Sequence, residues 1–348
     1  MLYNNVNIEV IAYEEPPISL SSSDIENRLA PIYDKLRLPA GRLELMSGIK
    51  ERKFWTPGTL PSDAATLAGK KALEQLEIPI EKIKCLINCS VCRDFLEPAT
   101  ATVVHHNLNL PQDSMVFDIS NACLGVLTGM MTLANMIELG QVEAGILVAG
   151  ENAGSLVEST INLILNDESI NRKTIKPLFA SLTIGSGAVA VVMTNKNISK
   201  TNHRLVGAVP LAATQYNDLC RGNTDKGMSD DATTIMNTDS ETLMHKGIET
   251  AAKNWEMFKK ELSWTADDID CTCTHQVGKA HKSMLVENLG LNYDNDFETL
   301  ESWGNVGSVS CPLTLAVAVE NGKVNKGDNV ALLGIGSGIN SAMLGVNW

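Results

Sequence analysis

Ile80-Glu81-Lys82-Ile83-Lys84-Cys85-Leu86-Ile87-Asn88-Cys89-Ser90 has the same pattern as Thr265-Ala266-Asp267-Asp268-Ile269-Asp270-Cys271-Thr272-Cys273-Thr274. Gly140-Gln141-Val142-Glu143-Ala144-Gly145-Ile146-Leu147-Val148-Ala149-Gly150 likewise matches the run from Gly322 to Gly334. Both pairs are separated by about 184 residues, so the chain carries an internal duplication. In each copy a helix exit or a glycine turn feeds a short apolar run. Short apolar runs between helical segments predict α/β units whose parallel strands are covered on both faces. Two similar halves then pack about a pseudo-twofold axis. The expected division is residues 1–200, carrying a cysteine nucleophile, and residues 201–348, carrying a histidine and an asparagine.

The cysteine is Cys123, in Asp118-Ile119-Ser120-Asn121-Ala122-Cys123-Leu124-Gly125-Val126. A strand-like run ends there and a helical pattern (Leu127, Met130, Met131, Ala134, Met136, Ile137) begins. A thiol at a helix start faces unpaired N–H groups and the positive end of the helix dipole, so its pKa is expected to be lowered. Taken alone, a single Cys is more often inert core. At the repeat offset Cys123 falls opposite Gly304-Asn305-Val306-Gly307, and His275 falls opposite Val91 at a strand end. Ligands bind at strand ends in α/β sheets. Separately, His275 reads as a hydrogen-bonded structural residue and Asn305 as a left-handed turn residue beside glycine.

Together the three fit thioester chemistry at carbon. Cys accepts an acyl group, and neutral His and Asn N–H groups hold an enolate oxygen. Gly334-Ile335-Gly336-Ser337-Gly338 would supply a backbone N–H which, with that of Cys123, forms an oxyanion hole. The glycine run is no dinucleotide fingerprint: no helix can follow it, and its third glycine is misplaced. Cys85, Cys89, Cys92, Cys271 and Cys273 lack zinc spacing and read as buried packing, so no metal is expected.

A net charge of −13 argues against nucleic-acid binding. Lys50-Glu51-Arg52-Lys53 and Lys279-Ala280-His281-Lys282 could meet an anionic cofactor or carrier, although such runs are usually solvated faces. No window approaches the roughly 18 apolar residues of a membrane span. The alternating N-terminus is no signal peptide, and a cytoplasmic location is expected.

Asn121-Ala122-Cys123, His275-Gln276, Gly304-Asn305-Val306-Gly307 and Gly336-Ser337-Gly338 resemble, in order and spacing, the thiolase superfamily and its ketosynthase III branch across essentially the whole chain. Ser90 to Ala101, Leu219-Cys220-Arg221-Gly222-Asn223 and Leu332 to Gly338 resemble most the bacterial olefin-biosynthesis thiolases. The resemblance implies the thiolase fold, a five-layered α/β/α/β/α sandwich, and a homodimer. It further implies that two fatty acyl-CoA molecules are joined without decarboxylation, giving a 2-alkyl-3-ketoacyl-CoA. Removing an α-proton then needs a carboxylate made more basic by burial. Glu97 stands at the matching position, where the family's glutamate enters the site from the partner monomer. Read without the family, Glu97 is a solvated loop carboxylate. Coenzyme A thioesters are the expected ligands, with Gly336, Ser337 and Arg221 at their site and no permanently bound cofactor. The alternative is a ketosynthase III that condenses acyl-CoA with a malonyl group on acyl carrier protein. A third reading is a non-catalytic dimer partner. Cys92 and Gly278-Lys279-Ala280 have no role in the family pattern.

Overall fold

A computed structural model describes residues 1–222 and 235–348, so Asn223 lies outside the described residues. In the first sheet, strand order is Met115–Asp118, Ile83–Asn88, Ala144–Glu151, Gly187–Asn195, Val6–Glu14. The first three run parallel and the last two join antiparallel. The second sheet repeats the plan with Cys271–Thr274, Asn329–Gly336, Asn340–Asn347 and Arg204–Ala212, one parallel pairing followed by two antiparallel. A lone parallel bridge between Thr272 and Asp296 stands where the first sheet has its outermost strand. The sheets join at one corner, where Asn7 pairs with Arg204 and Leu2 with Gly207.

All eight residues of Ala144–Glu151 are buried, as a strand covered on both faces requires. Gly125–Glu138 and Ser310–Glu320 lie between the sheets and share one apolar core with strands of both. Helix 125–138 is apolar nearly all round because every side meets protein. Outside the first sheet, Pro61–Glu74 and Thr100–Asn107 contribute Ala64, Ala65, Ala68, Ala101 and Val104 to a second core. Outside the second sheet, Ser240–Leu262 turns Ile248, Ala251, Trp255, Phe258 and Leu262 inward at helical spacing. Five layers result. The first-half loops add helices Ala30–Leu36, Arg42–Ser47 and Gly154–Asn166 around a separate apolar cluster. Among the described residues, no helix is long and apolar enough to cross a membrane.

The duplication is exact in register at the centre. Strands Ala144–Glu151 and Asn329–Gly336 start 185 positions apart, as do the short turns Ala122–Leu124 and Gly307–Val309. One pairing differs from the expectation. The Cys89 N–H donates to the Val148 carbonyl at 2.8 Å and the His275 N–H to Leu333 at 3.0 Å, so the twin of His275 is Cys89, not Val91. A two-residue slip keeps every strand side chain on the same face, so the apolar pattern cannot detect it; the hydrogen-bond ladder can.

Candidate active site

The strand Met115–Asp118 leads to a sharp elbow. Ala122 has φ +46°, a left-handed conformation uncommon outside glycine, and a short turn then delivers the chain to the helix at Gly125. The elbow is held by the Asn121 side chain, which donates to Thr128 Oγ1 at 2.9 Å and accepts from Asn340 Nδ2 at 3.1 Å. Gly125 is required because a Cβ there would collide with the Cys89 carbonyl oxygen. Gly336 leaves room beside the thiol: a Cβ there would lie 3.5 Å from the Cys123 Cβ, an ordinary contact, and 3.1 Å from Leu124 Cγ.

Cys123 is half-buried, and the backbone N–H groups of Cys123 itself and of Ser337 favour its thiolate. The expected lowering of its pKa does not occur. Burial, reinforced by nearby Cys220 and Glu151, pushes the thiol up to about 12 against the pull of those two N–H groups. The physical reason is one of size. Desolvation can move a buried group by several pKa units, whereas a helix terminus contributes roughly 0.3–1 kcal/mol, less than one unit.

His275 ends the strand Cys271–Thr274 and is 2% exposed, yet neither ring nitrogen has a hydrogen-bond partner among the described residues. It is therefore not the hydrogen-bonded structural histidine that its position alone suggests. Burial first, and neighbouring His281 second, push its pKa down to about 3, so the ring is neutral at physiological pH. Gln276 anchors the next loop: its Oε1 accepts the N–H groups of Thr299 and Leu300 at 2.9 and 2.8 Å, and its Nε2 donates to Phe297 O at 2.7 Å. That loop leads to Asn305. The left-handed positions are Gly304 and Gly307, so Asn305 is not the αL residue of this turn. Its backbone is locked to Thr183 and Gly185. Its Oδ1 accepts the Gly307 N–H at 3.1 Å, which leaves Nδ2 without a partner among the described residues.

Topology brings these groups to one edge. The turn bearing Cys123 packs on Gly307–Val309, just beyond Asn305, and the strand that hydrogen-bonds His275 at Leu333 ends at Gly336 against Cys123. Glu97 is elsewhere. It is exposed near the tip of a loop with Phe95, Leu96 and Pro98, so its own chain does not supply the burial expected for a base. The loop is nevertheless pinned at both roots. Glu151 accepts the Val91 and Cys92 N–H groups, Asp94 accepts the Ser62 N–H at 2.9 Å, and Asp118 accepts the Thr100 and Ala101 N–H groups. Glu151, which ends a uniformly apolar strand as a buried carboxylate, went unnoticed in the sequence; a lone acidic residue closing such a run is the one signal it left.

Arg221 is exposed on a short strand and donates to Asn217 Oδ1 at 3.2 Å. The two basic clusters are not open cationic faces. Arg52 is fully buried, with its guanidinium on Ser22 Oγ and Leu20 O. His281 and Lys282 are buried as well, Lys282 against Asp296 and Glu298 at 3.3 and 2.9 Å. A long basic side chain inside a fold needs such partners, and a charge count along the sequence does not reveal them. The cations gather elsewhere: Arg37, Arg42, Arg172, Lys173 and Lys176 line a cavity of about 390 Å³ whose apolar wall includes Leu38, Ile175 and Phe179. All eight cysteines are free.

Residues 56–177 match the family described as Thiolase, N-terminal domain, and residues 260–348 match 3-Oxoacyl-[acyl-carrier-protein (ACP)] synthase III C terminal. The chain is 40% identical over 351 residues to the acyl-CoA:acyl-CoA alkyltransferase of Shewanella oneidensis, with all of both chains covered. It superposes on Xanthomonas campestris OleA solved with bound lauric acid and lauroyl-CoA at a TM-score of 0.93 and 37% identity, covering 100% of both chains. Other solved structures of that protein replace a glutamate, a histidine and a cysteine. A 3-oxoacyl-(acyl carrier protein) synthase III of Xanthomonas oryzae matches at a TM-score of 0.94 and 37% identity, again covering 100% of both chains.

Proposed function

Because this chain belongs to the acyl-CoA:acyl-CoA alkyltransferase family of the thiolase superfamily, we propose that it joins two fatty acyl-CoA thioesters by non-decarboxylative Claisen condensation. Cys123 attacks the carbonyl of the first acyl-CoA, and the thiol proton leaves with the departing coenzyme A as its thiol. The N–H groups of Cys123 and Ser337 stabilise the tetrahedral oxyanion, and Gly336 leaves the space for it. Glu97 then removes an α-proton from a second acyl-CoA. Neutral His275 and the Asn305 amide donate to the enolate oxygen. The α-carbon attacks the acyl-cysteine and expels Cys123, leaving a 2-alkyl-3-ketoacyl-CoA.

The observation that carries this reading is the buried His275 ring, whose nitrogens have no partner among the described residues. A buried neutral ring without a partner among the described residues is costly unless something else binds it, and the Asn305 Nδ2, left over when Oδ1 accepts the Gly307 N–H, is available to bind the same group. An enolate oxygen is such a group. Support for Glu97 is of another kind: the glutamate and the cysteine replaced in Xanthomonas campestris OleA stand as far apart in sequence as Glu97 and Cys123.

Glu97 reaches a catalytic site only in a homodimer, which is part of the proposal. Val91, Phe95 and Leu96 around it and Met115 on the edge strand are all at least half exposed, an apolar surface that a second copy would cover. Coenzyme A is the acyl carrier, with no further cofactor, and the cavity of Arg37, Arg42 and Arg172 suits its phosphates. We also keep the division at residue 200, supported by the strand Arg204–Ala212, with which the second set of strands begins along the chain.

The test is incubation with a long-chain acyl-CoA alone, following coenzyme A release and β-keto product by mass spectrometry, beside Glu97→Ala. Product without a malonyl donor, lost in Glu97→Ala while Cys123 is still acylated, is the expected result. The likeness to the Xanthomonas oryzae synthase and the matching C-terminal family favour a second reading, with malonyl-acyl carrier protein as donor. A stable acyl-enzyme that turns over only when that donor is added would establish it.

A further inference from the structure

The pseudo-twofold gives the nucleophile corner a twin. At the 185-residue offset Ser308 corresponds to Cys123, and Glu151 corresponds to Gly336. The pairing crosses between halves in both cases. Cys123 of the first half sits against Gly336 of the second, and Ser308 of the second half donates its hydroxyl to Glu151 Oε1 of the first. The twin corner is closed where the nucleophile corner is open, since a carboxylate fills the place that glycine leaves empty.

The Glu151 carboxylate is almost fully buried and takes three donors from two directions. Val91 N–H reaches Oε1 at 2.8 Å and Cys92 N–H reaches Oε2 at 3.2 Å, both from the root of the loop that carries Glu97. Ser308 Oγ comes from the turn that carries Asn305, and Gly307 packs so closely that a Cβ there would stand 3.6 Å from Glu151 Cδ. Cys92 adds a second tie, its Sγ to Asn152 O at 3.5 Å and the Asn152 N–H back to Sγ at 3.4 Å. With its oxygens already occupied by backbone and hydroxyl donors, Glu151 is badly placed to collect a substrate proton. It is well placed to hold two loops at a fixed separation.

We propose that Glu151, with Ser308, is a positioning residue for the condensation step: from one buried carboxylate hang both the root of the Glu97 loop and the Asn305 turn. The inference rests on the assignment of Glu97 and Asn305 above. Because Glu97 serves the neighbouring subunit while Asn305 serves its own, each Glu151 also ties together the two sites of the dimer. The first chemical step, acylation of Cys123, needs neither the Glu97 carboxylate nor the Asn305 amide.

The dimer is therefore assayed in two stages, acylation of Cys123 by acyl-CoA and condensation of the isolated acyl-enzyme with a second acyl-CoA. Glu151→Gln, Ser308→Ala and Glu97→Ala are compared with the parent. Glu151→Gln is expected to acylate no more slowly than the parent, since losing its charge only eases ionisation of Cys123, while its condensation kcat falls roughly 10- to 100-fold, the range of one charge-assisted hydrogen bond, with KM for the second acyl-CoA little changed. Ser308→Ala is expected to show the same split at about tenfold, and it decides the matter if Glu151→Gln does not fold. Condensation that stays intact in both variants overturns the proposal, as does loss of acylation and condensation together in step with the thermal midpoint. Retained condensation in Glu97→Ala would instead overturn the base assignment on which the proposal stands. Lost condensation there, with Glu151→Gln and Ser308→Ala unaffected, overturns the positioning role alone.

Discussion

The two central corners share a backbone plan and differ in three side chains. In the first, Cys123 follows a left-handed Ala122, a glycine stands opposite at position 336, and Gly125 opens the helix. In the second, Ser308 lies in the turn, Glu151 stands opposite, and Ser310 opens the helix, where its Oγ accepts the Gln276 N–H at 3.3 Å. One corner leaves room beside a thiol, and the other fills the same room with hydrogen bonds. A duplicated fold thus provides two equivalent strand-end corners, and on the proposed function the one with glycine opposite the turn is the one that takes substrate.

Making the corners alike is the strongest way to break that contrast. Gly336→Glu places a side chain where a Cβ already touches Cys123 and Leu124. It should lower acylation of Cys123 by more than about a thousandfold through lost space and a like-charge neighbour for the thiolate, read as the burst of coenzyme A release. A burst within tenfold of the parent would mean that the glycine is not what keeps the cleft open.

A stability effect comes next. Gly125→Ser copies the residue of the twin position, but here the Cys89 carbonyl blocks the Cβ and backbone must shift. The expected cost is about 2–3 kcal/mol, as for overpacking in a tight core, seen as a lower urea midpoint at unchanged slope. An unchanged midpoint would show that the helix start can move.

The thiol itself offers a sharper probe by pH. With its pKa pushed up to about 12, Cys123 is protonated in the resting protein at neutral pH. The thiolate fraction, and with it the rate of iodoacetamide alkylation, should rise about tenfold per pH unit above neutrality with no plateau below pH 10. A plateau by pH 8 would restore the helix-dipole expectation. His275, with its pKa pushed down to about 3, should contribute no loss of condensation rate between pH 8 and pH 5, because its ring gains a proton only far below that window.

The smallest effect is at the twin. Ser310→Ala removes one buried acceptor from the Gln276 N–H and should cost about 1 kcal/mol in the same urea experiment.

The α/β class and the internal duplication could be read from the chain because each leaves a local mark, as do Cys123, His275 and Asn305 as candidates, whereas the five layers came from the family resemblance. A strand covered on both faces is written as an unbroken apolar run such as Ala144–Gly150, and an elbow is written as small residues between a strand and a helix. The sign of the Cys123 shift, the burial of Arg52 and Lys282, the Cys89–His275 pairing and the Glu151 anchor were not legible. Each depends on groups far apart in sequence: Ser308 and Glu151 are 157 residues from each other. Periodicity and turn chemistry act between near neighbours, so the sequence alone determined the elements and the candidate residues. Desolvation and buried hydrogen bonding act between whatever the packed layers bring together, so only the tertiary structure decided which charges are buried, which donors stay unspent and which of two equivalent corners is open.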